Sequence, residues 1–204
     1  MKASDILSYC NQFKTGNEYN DSIYLNDSVL HATIITNEIF EKALSETGKT
    51  VNMYCGRFSL FRDENRAEID NLKLQCDISD LSDEKKKEWA EFNPFSDLQH
   101  KLGVFLDDEN KGHLNLIMEQ DIESLKKCEV WKVLKRGMEN NRVSLFALKE
   151  SMGLGHFCVT EEAYRLEKSD NNKTASGCFK DKVNADILND NFEFLKKASE
   201  HIRA

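Results

Sequence analysis

The sequence predicts an α/β fold: a mixed sheet of about five strands flanked by helices, with an N-terminal helical extension and a long C-terminal helix. Apolar residues recur at helical spacing in some segments and alternate in others, and the two kinds of segment follow one another along the chain. With one proline and nine glycines in 204 residues, no obvious linker divides the sequence. We therefore expect a single domain over residues 1–204, with a helical extension at 1–47 and an α/β core at 50–204.

The first predicted helix begins after Asp27 or Ser28, either of which has a side chain suited to an N-cap. Gly48 is expected to end this helix. Its apolar residues recur at three- and four-residue spacing, as an amphipathic helix requires: Val29, Leu30, Ile34, Ile35, Ile39 and Phe40.

The middle of the chain alternates between strands and helices. Val51 to Cys55 alternates as a short strand, and residues 57–76 return to helical spacing. Opposite charges mixed at helical spacing between Asp77 and Glu91 predict an exposed helix. A helix that begins at Ser96 precedes a strand from His113 to Met118.

The second half supplies the rest of the sheet. A helix is expected from Ile122 to Gly137, and three strands follow at Arg142 to Leu148, His156 to Thr160 and Ala163 to Glu167. The polar segment from Lys168 to Ser176 is predicted to be a loop.

A closing helix and a hairpin complete the prediction. Helices between strands favour parallel pairing, whereas a turn at residues 160–162 makes the last two strands antiparallel, so the sheet should be mixed with helices on both faces. The closing helix has one apolar face: Val183, Ile187, Leu188, Phe192, Leu195 and Ala198.

Charge and hydropathy exclude some classes of function. Acidic residues outnumber Lys and Arg by 36 to 28, and a net charge of −8 disfavours a general electrostatic grip on nucleic acid or an anionic membrane. No segment approaches the roughly 18 to 20 apolar residues of a membrane helix, and the first ten residues lack a secretory signal core. The sequence therefore predicts a cytoplasmic protein.

The six cysteines are dispersed, and no two form a C-x-x-C pair of the kind that metal or redox sites use. We interpret Cys10, Cys55, Cys128 and Cys158 as small buried apolar residues, which fits a reducing compartment. The acidic residues 107–109 lack the spacing of a calcium-binding loop and are interpreted as a solvated turn. The sequence predicts no metal and no cofactor.

Three polar residues near the predicted hairpin are candidates for a site. His156 lies between a Gly-Leu-Gly turn and a strand, where loop-borne catalytic histidines often occur, although a structural histidine at a strand edge is the simpler interpretation. Arg165 and Glu167 share one face of the next strand and are expected to form an ion pair there.

The segment after the first strand carries a second set of candidate site residues. Cys55 ends that strand ahead of a possible helix N-terminus, a setting that lowers a thiol pKa. The phosphate loop of cysteine phosphatases separates Cys and Arg by five residues, and here six residues separate Cys55 from Arg62. Phosphatase chemistry is therefore disfavoured. Arg57 and Arg62, with His156, Arg165 and Glu167, are our predicted ligand- or partner-binding residues.

A fixed order of segments precedes the long closing helix: VNMYC, HLNLIM, a helix containing Trp131, RVSLFAL and GHFCVTEEAYRLE. This order resembles that of a phospholipase D-like domain over roughly residues 50 to 200. That family carries H-x-K and then, after four intervening residues, Asp. After His156, Cys158 stands at the lysine place and Ala163 at the aspartate place. The resemblance therefore implies a degenerate relative without the catalytic signature.

The resemblance implies a binding or assembly role. Degenerate relatives occur in regulators that sense small ligands and beside nucleases in bacterial antiviral defence modules, which implies a protein partner or a homodimer, nucleic acid contacted through a partner, and no membrane. Our first hypothesis is a non-catalytic interaction or sensor subunit, with Ile34, Ile35, Ile39 and Phe40 as its partner-binding helix face.

Two other functions stay open. One is a dimeric phosphodiesterase or nuclease that uses His156 from each subunit. The other is a nucleic-acid-binding module that uses Lys135, Arg136 and Arg142 beside Trp131.

Overall fold

The computed structural model describes residues 2–7, 24–26, 28–107, 109–119, 122–167 and 175–203. Residues 3–7 form α1. The remaining helices are α2 Val29–Ser45, α3 Arg66–Leu74, α4 Asp83–Glu91, α5 Pro94–Leu106, α6 Ile122–Leu125, α7 Val130–Glu139 and α8 Lys182–Lys197. Two 3-10 turns, Ser59–Phe61 and Asp63–Asn65, precede α3.

Eight strands of the described chain form one sheet in the order β1-β7-β6-β5-β2-β3-β4-β8. Their bounds are β1 Tyr24–Asn26, β2 Thr50–Cys55, β3 His113–Met118, β4 Val143–Ala147, β5 Phe157–Val159, β6 Tyr164–Glu167, β7 Ala175–Cys178 and β8 Glu200–Ile202. The central strands β2, β3 and β4 are parallel, and all the other pairings are antiparallel. The predicted α/β class with a mixed sheet is confirmed.

The sheet has more strands than the five that sequence patterns predict. All five predicted strands are present, and β1, β7 and β8 extend the sheet at its two sides. The predicted loop from Lys168 to Ser176 is wrong at its end, because β7 begins at Ala175. Each added strand has only three or four residues and gains its regular structure by pairing with a longer neighbour.

Helix α2 begins as predicted, since the Ser28 side chain accepts a hydrogen bond from the His31 amide. Asp27, the alternative cap, lies outside the described residues. The helix ends at Ser45, three residues before Gly48, and the amide of Glu46 caps the carbonyl of Ala43.

The apolar face of α2 packs on the protein's own core. Ile34, Ile35, Ile39 and Phe40 are all buried, and Phe40 makes edge contacts with the rings of Phe61 and Phe105. This face is therefore not available to a partner, which corrects the partner-binding role expected for it.

The helix predicted from Ile122 to Gly137 is two helices, α6 and α7, separated at residues 126–129. Leu125, Val130 and Leu134 are all fully or almost fully buried. Positions 125 and 130 face different directions on a continuous helix. The break turns both side chains towards the core.

The two faces of the sheet are covered differently. Helices α2, α5 and α7 cover one face, where Ile39, Leu102 and Leu134 join the main apolar core. Helix α8 covers the other, with Leu188 and Phe192 in a second core. No helix within the described ranges is long and apolar enough to cross a membrane.

Candidate functional site

The central strands bring three chain segments together at one edge of the sheet. β2 and β3 are parallel, so Gly56 and Glu119, which follow them, lie side by side, and the Glu119 amide donates to the Cys55 carbonyl at 3.1 Å. β5 runs antiparallel to β2, so His156 enters the sheet at the same edge. The topology therefore creates a site that no single segment contains.

A cavity of about 280 Å³ opens at this edge. Helix α2, the turn after β2 and strands β5 and β6 enclose it. Its lining combines ionised, hydroxyl, thiol and aromatic side chains: Thr36, Met53, Tyr54, Cys55, Gly56, Arg57, Phe58, Ser59, Leu60, Phe61, His156, Phe157, Cys158, Arg165 and Glu167.

His156 stands between two carboxylates. Its Nδ1 lies 3.1 Å from Glu167 Oε2, and its Nε2 lies 3.5 Å from Glu119 Oε2. The backbone fixes the first contact, because the Glu167 amide donates to the His156 carbonyl at 2.8 Å. Both ring nitrogens therefore point at acceptors, an arrangement that suits the doubly protonated imidazolium.

Glu119 is held by two hydroxyl groups. Tyr54 and Ser151 both donate to Glu119 Oε1, the latter at 2.6 Å. The ring of His156 also packs edge-on against the ring of Tyr54, at 5.4 Å between centroids. A Cβ atom at Gly56 would lie 3.2 Å from His156 Cε1, so a glycine at this position leaves room for the imidazole to pack against the backbone.

Arg165 completes the cluster. Its guanidinium donates to Glu167 Oε1 at 2.9 Å, and the side chain is only 8% exposed. The ion pair expected between Arg165 and Glu167 is thus present. The described contacts link four side chains in a row in which basic and acidic groups alternate: Arg165, Glu167, His156 and Glu119.

Electrostatic interactions favour the ionised forms of His156, Glu119 and Glu167. Burial alone would lower the pKa of His156, but the hydrogen bonds and charges of Glu167 and Glu119 raise it above its ordinary value. Burial alone would raise the pKa of Glu119, but Ser151, Tyr54 and His156 lower it. The pKa of Glu167 is likewise lowered by His156 and Arg165 against the effect of burial.

The predicted site residues are distributed unequally. Arg57, His156, Arg165 and Glu167 line the cavity. Arg62 does not: it is 1% exposed, its Nε donates to the Arg57 carbonyl at 2.6 Å, and its Nη1 donates to Ser124. Arg62 therefore supports the turn after β2 from inside.

The thiols of the site are not activated. Burial raises the pKa of Cys55, opposite to the direction that a position ahead of a helix suggests, and burial raises that of Cys158 to about 12. Cys158 is buried, as predicted, while Cys55 and Cys128 are partly exposed and Cys10 lies outside the described residues. Within the described ranges, no three His, Cys, Asp or Glu side chains are placed to hold a metal ion.

Sequence patterns missed Glu119, Tyr54 and Thr36. Glu119 follows directly after a predicted strand, and the carboxyl ends of parallel strands commonly carry functional residues. That position alone marks Glu119 as a candidate site residue. No comparable signal marks Thr36, which lies on the buried side of α2 and reaches the site only through packing.

Comparisons with known proteins find similarity only in structure. No protein-family model and no curated protein sequence matches the chain. One similar structure is TrmBL2, an archaeal chromatin protein described as showing a novel mode of DNA binding, at 11% identity and a TM-score of 0.54. The match covers 98% of this chain and 61% of that one, so this chain spans less than two thirds of the chromatin protein.

The second similar structure is Nuc from Salmonella typhimurium, a phospholipase D family member. It matches at 6% identity with a TM-score of 0.50, over 90% of this chain and 99% of that one. The phospholipase D-like fold predicted from the sequence is therefore confirmed as a resemblance of fold.

Proposed function

We propose that this chain is a non-catalytic phospholipase D-like domain that binds a small ligand as the sensor or interaction subunit of a cytoplasmic complex. The contacts of His156 carry the proposal. A histidine that attacks phosphorus needs a ring nitrogen with a free lone pair. Both ring nitrogens of His156 instead face carboxylates, which raise the pKa of the histidine and favour the form that is protonated on both nitrogens.

The replacements around His156 support the same proposal. Cys158 and Ala163, at the lysine and aspartate places of the family signature, are 2% and 0% exposed and offer no charge to a phosphate. Two carboxylates, Glu119 and Glu167, contact the histidine instead.

We further propose that the domain acts with a protein partner or as a homodimer, in a regulatory or antiviral defence complex, with any nucleic acid held by the partner. The implied roles of degenerate phospholipase D-like proteins support this assignment. Co-purification followed by mass measurement of the intact assembly tests it: a stoichiometric partner or a stable dimer supports the proposal, and a monomer without partners contradicts it.

Ligand binding is tested by thermal unfolding of the full chain in the presence of a library of small metabolites. We expect at least one compound to raise the melting temperature, because a ligand that binds only the folded state stabilises it. The charge-conserving variant Arg165→Lys, which disturbs the cavity wall, should weaken that effect. A library without any stabilising compound would argue against a sensor.

A dimeric phosphodiesterase is the competing function, and hydrolysis of bis(p-nitrophenyl) phosphate tests it. We expect the wild-type protein and His156→Ala to show the same background rate. Hydrolysis that disappears in His156→Ala would replace the non-catalytic proposal with an enzymatic one.

A further inference from the structure

One polar atom in the cavity wall has an unused hydrogen-bonding capacity. Thr36 is 0% exposed, and among the described residues its Oγ1 has no hydrogen-bond partner. Thr33, one turn earlier on α2, bonds the Val29 carbonyl at 2.8 Å, which is the usual arrangement for a threonine within a helix. Thr36 lines the cavity and does not make the equivalent bond.

An unsatisfied buried hydroxyl destabilises a protein by about 1 to 3 kcal/mol, so its presence calls for an explanation. A ligand in the cavity that bonds Thr36 Oγ1 provides one. The hydroxyl then stabilises the protein with its ligand bound, although it destabilises the ligand-free protein.

The charges of the lining indicate the ligand's head group. Four lining side chains can carry a charge: Arg57, Arg165 and His156 as cations, and Glu167 as an anion. Arg165 and His156 both contact Glu167, whereas Arg57 is exposed and pairs with Glu64 across 3.5 Å at the surface. Such surface pairs contribute little, so the pair with Glu64 is a weak obstacle to a ligand that binds Arg57.

The remaining wall indicates the ligand's body. Met53, Phe58 and Phe61 are buried apolar residues, and the rings of Phe58 and Phe61 stack at 4.2 Å between centroids. A cavity of about 150 Å³ holds benzene. The 280 Å³ of this cavity suit a molecule of about ten non-hydrogen atoms.

We propose that the cavity binds a small organic carboxylate, whose head group contacts Arg57 and the Thr36 hydroxyl and whose apolar body lies against Met53 and Phe58. A planar guanidinium and a carboxylate make paired hydrogen bonds, which gives the head group its specificity. This inference rests on the proposed sensor function and specifies its ligand class.

Matched acid and amide probes test the inference by calorimetric titration. Phenylacetate and hexanoate are compared with phenylacetamide and hexanamide, which have the same shape without the charge. We expect the acids to bind at least about tenfold more tightly than the amides, and Arg57→Gln to remove most of that difference.

Thr36→Val, which keeps the shape of the side chain, should weaken acid binding about tenfold while raising the melting temperature of the ligand-free protein. Thr33→Val is the matched control on the same helix, because its hydroxyl is already bonded and does not line the cavity. It should leave acid binding unchanged.

The outcomes separate this inference from the proposed function. Amides that bind as tightly as the acids overturn the carboxylate class and leave a sensor of uncharged ligands. If neither acids nor amides bind, the carboxylate inference also fails, and the metabolite library then decides independently whether the domain senses any ligand.

Discussion

At the scale of single residues, the charge state of His156 governs what the site can do. An imidazolium between Glu119 and Glu167 donates hydrogen bonds and accepts none. It can orient carboxylates and neutralise their charge, but it cannot act as a general base while both protons remain. Loss of one of these protons, or removal of one of the two carboxylates, would free a ring nitrogen of His156 to act as a base or nucleophile.

The stability of the cluster should depend on pH in a specific direction. His156 has a folded pKa above its ordinary value of 6.5, so its stabilising contribution is complete below that value and is lost as pH rises through the raised folded pKa. Glu119 and Glu167 have folded pKa values below 4.5, so their contributions are complete above 4.5 and are lost on acidification. The cluster is most stabilising between these limits, in mildly acidic solution.

Urea unfolding at about pH 6 and about pH 8.5 checks this dependence. The wild-type protein should be more stable at the lower pH, and His156→Gln should lose most of the difference. His100→Gln, which changes an exposed histidine on α5, should retain the wild-type difference. Equal pH dependence in all three proteins would contradict the ionised cluster.

At the scale of elements, the loop before β5 approaches β6 closely. A Cβ atom at Gly155 would lie 2.0 Å from the backbone oxygen of Glu167, so the two segments could not keep their present separation. We expect Gly155→Ala to destabilise the protein by about 1 to 3 kcal/mol and to displace His156 from Glu167.

Gly103→Ala is the opposite case and serves as its control. Position 103 lies within α5, and apart from its chain neighbours and the adjacent backbone of that helix, no described atom lies within 4 Å of an added Cβ. Alanine should stabilise the helix there by up to about 1 kcal/mol. Chemical denaturation of both variants measures the two changes in unfolding free energy, which we expect to have opposite signs. Similar changes at both glycines would mean that the backbone at Gly155 can move away from Glu167 at little cost.

Helix α2 should behave as part of the core. Phe40→Ala removes a fully buried ring and should cost about 3 to 5 kcal/mol of unfolding free energy. Phe194→Ala removes a ring that is 60% exposed on α8 and should change stability by about 0.5 kcal/mol or less. A small effect at Phe40 would mean that α2 is held only loosely on the sheet.

Sequence patterns located the longer elements because burial imposes a periodicity on them. They missed β7, whose residues Ala-Ser-Gly-Cys have little intrinsic tendency to form a strand. In the site, Arg165 and Glu167 were predictable because alternate residues of one strand share a face. The contact between His156 and Glu119 depends on how β2 pairs with both β3 and β5, and local patterns contain no information about that pairing.

At the scale of the whole molecule, the fold resembles that of a DNA-binding chromatin protein, but the charge is unfavourable for the same role. The net charge of −8 repels the phosphate backbone. The basic side chains of α7 do not stand apart from acidic ones, since Lys132 pairs with Glu129 and Lys135 with Glu139.

We therefore expect weak or undetectable binding to duplex DNA at physiological salt. Fluorescence anisotropy with a labelled duplex of about 30 base pairs, titrated at low and physiological salt, measures this directly. Tight binding that weakens steeply with salt, and that is reduced by Lys135→Glu together with Arg136→Glu, would restore nucleic-acid binding as a function of this chain.

The position of β2 also has a consequence for how the chain folds. This strand lies near the middle of the sheet, yet Asn52 pairs with Asn115 on one side and with Val159, in the last quarter of the sequence, on the other. Partners so distant along the chain close large loops, which slows folding. During synthesis, β3 can pair with one edge of β2 early, but the other edge stays open until β5 leaves the ribosome, and an open strand edge in that interval is exposed to aggregation.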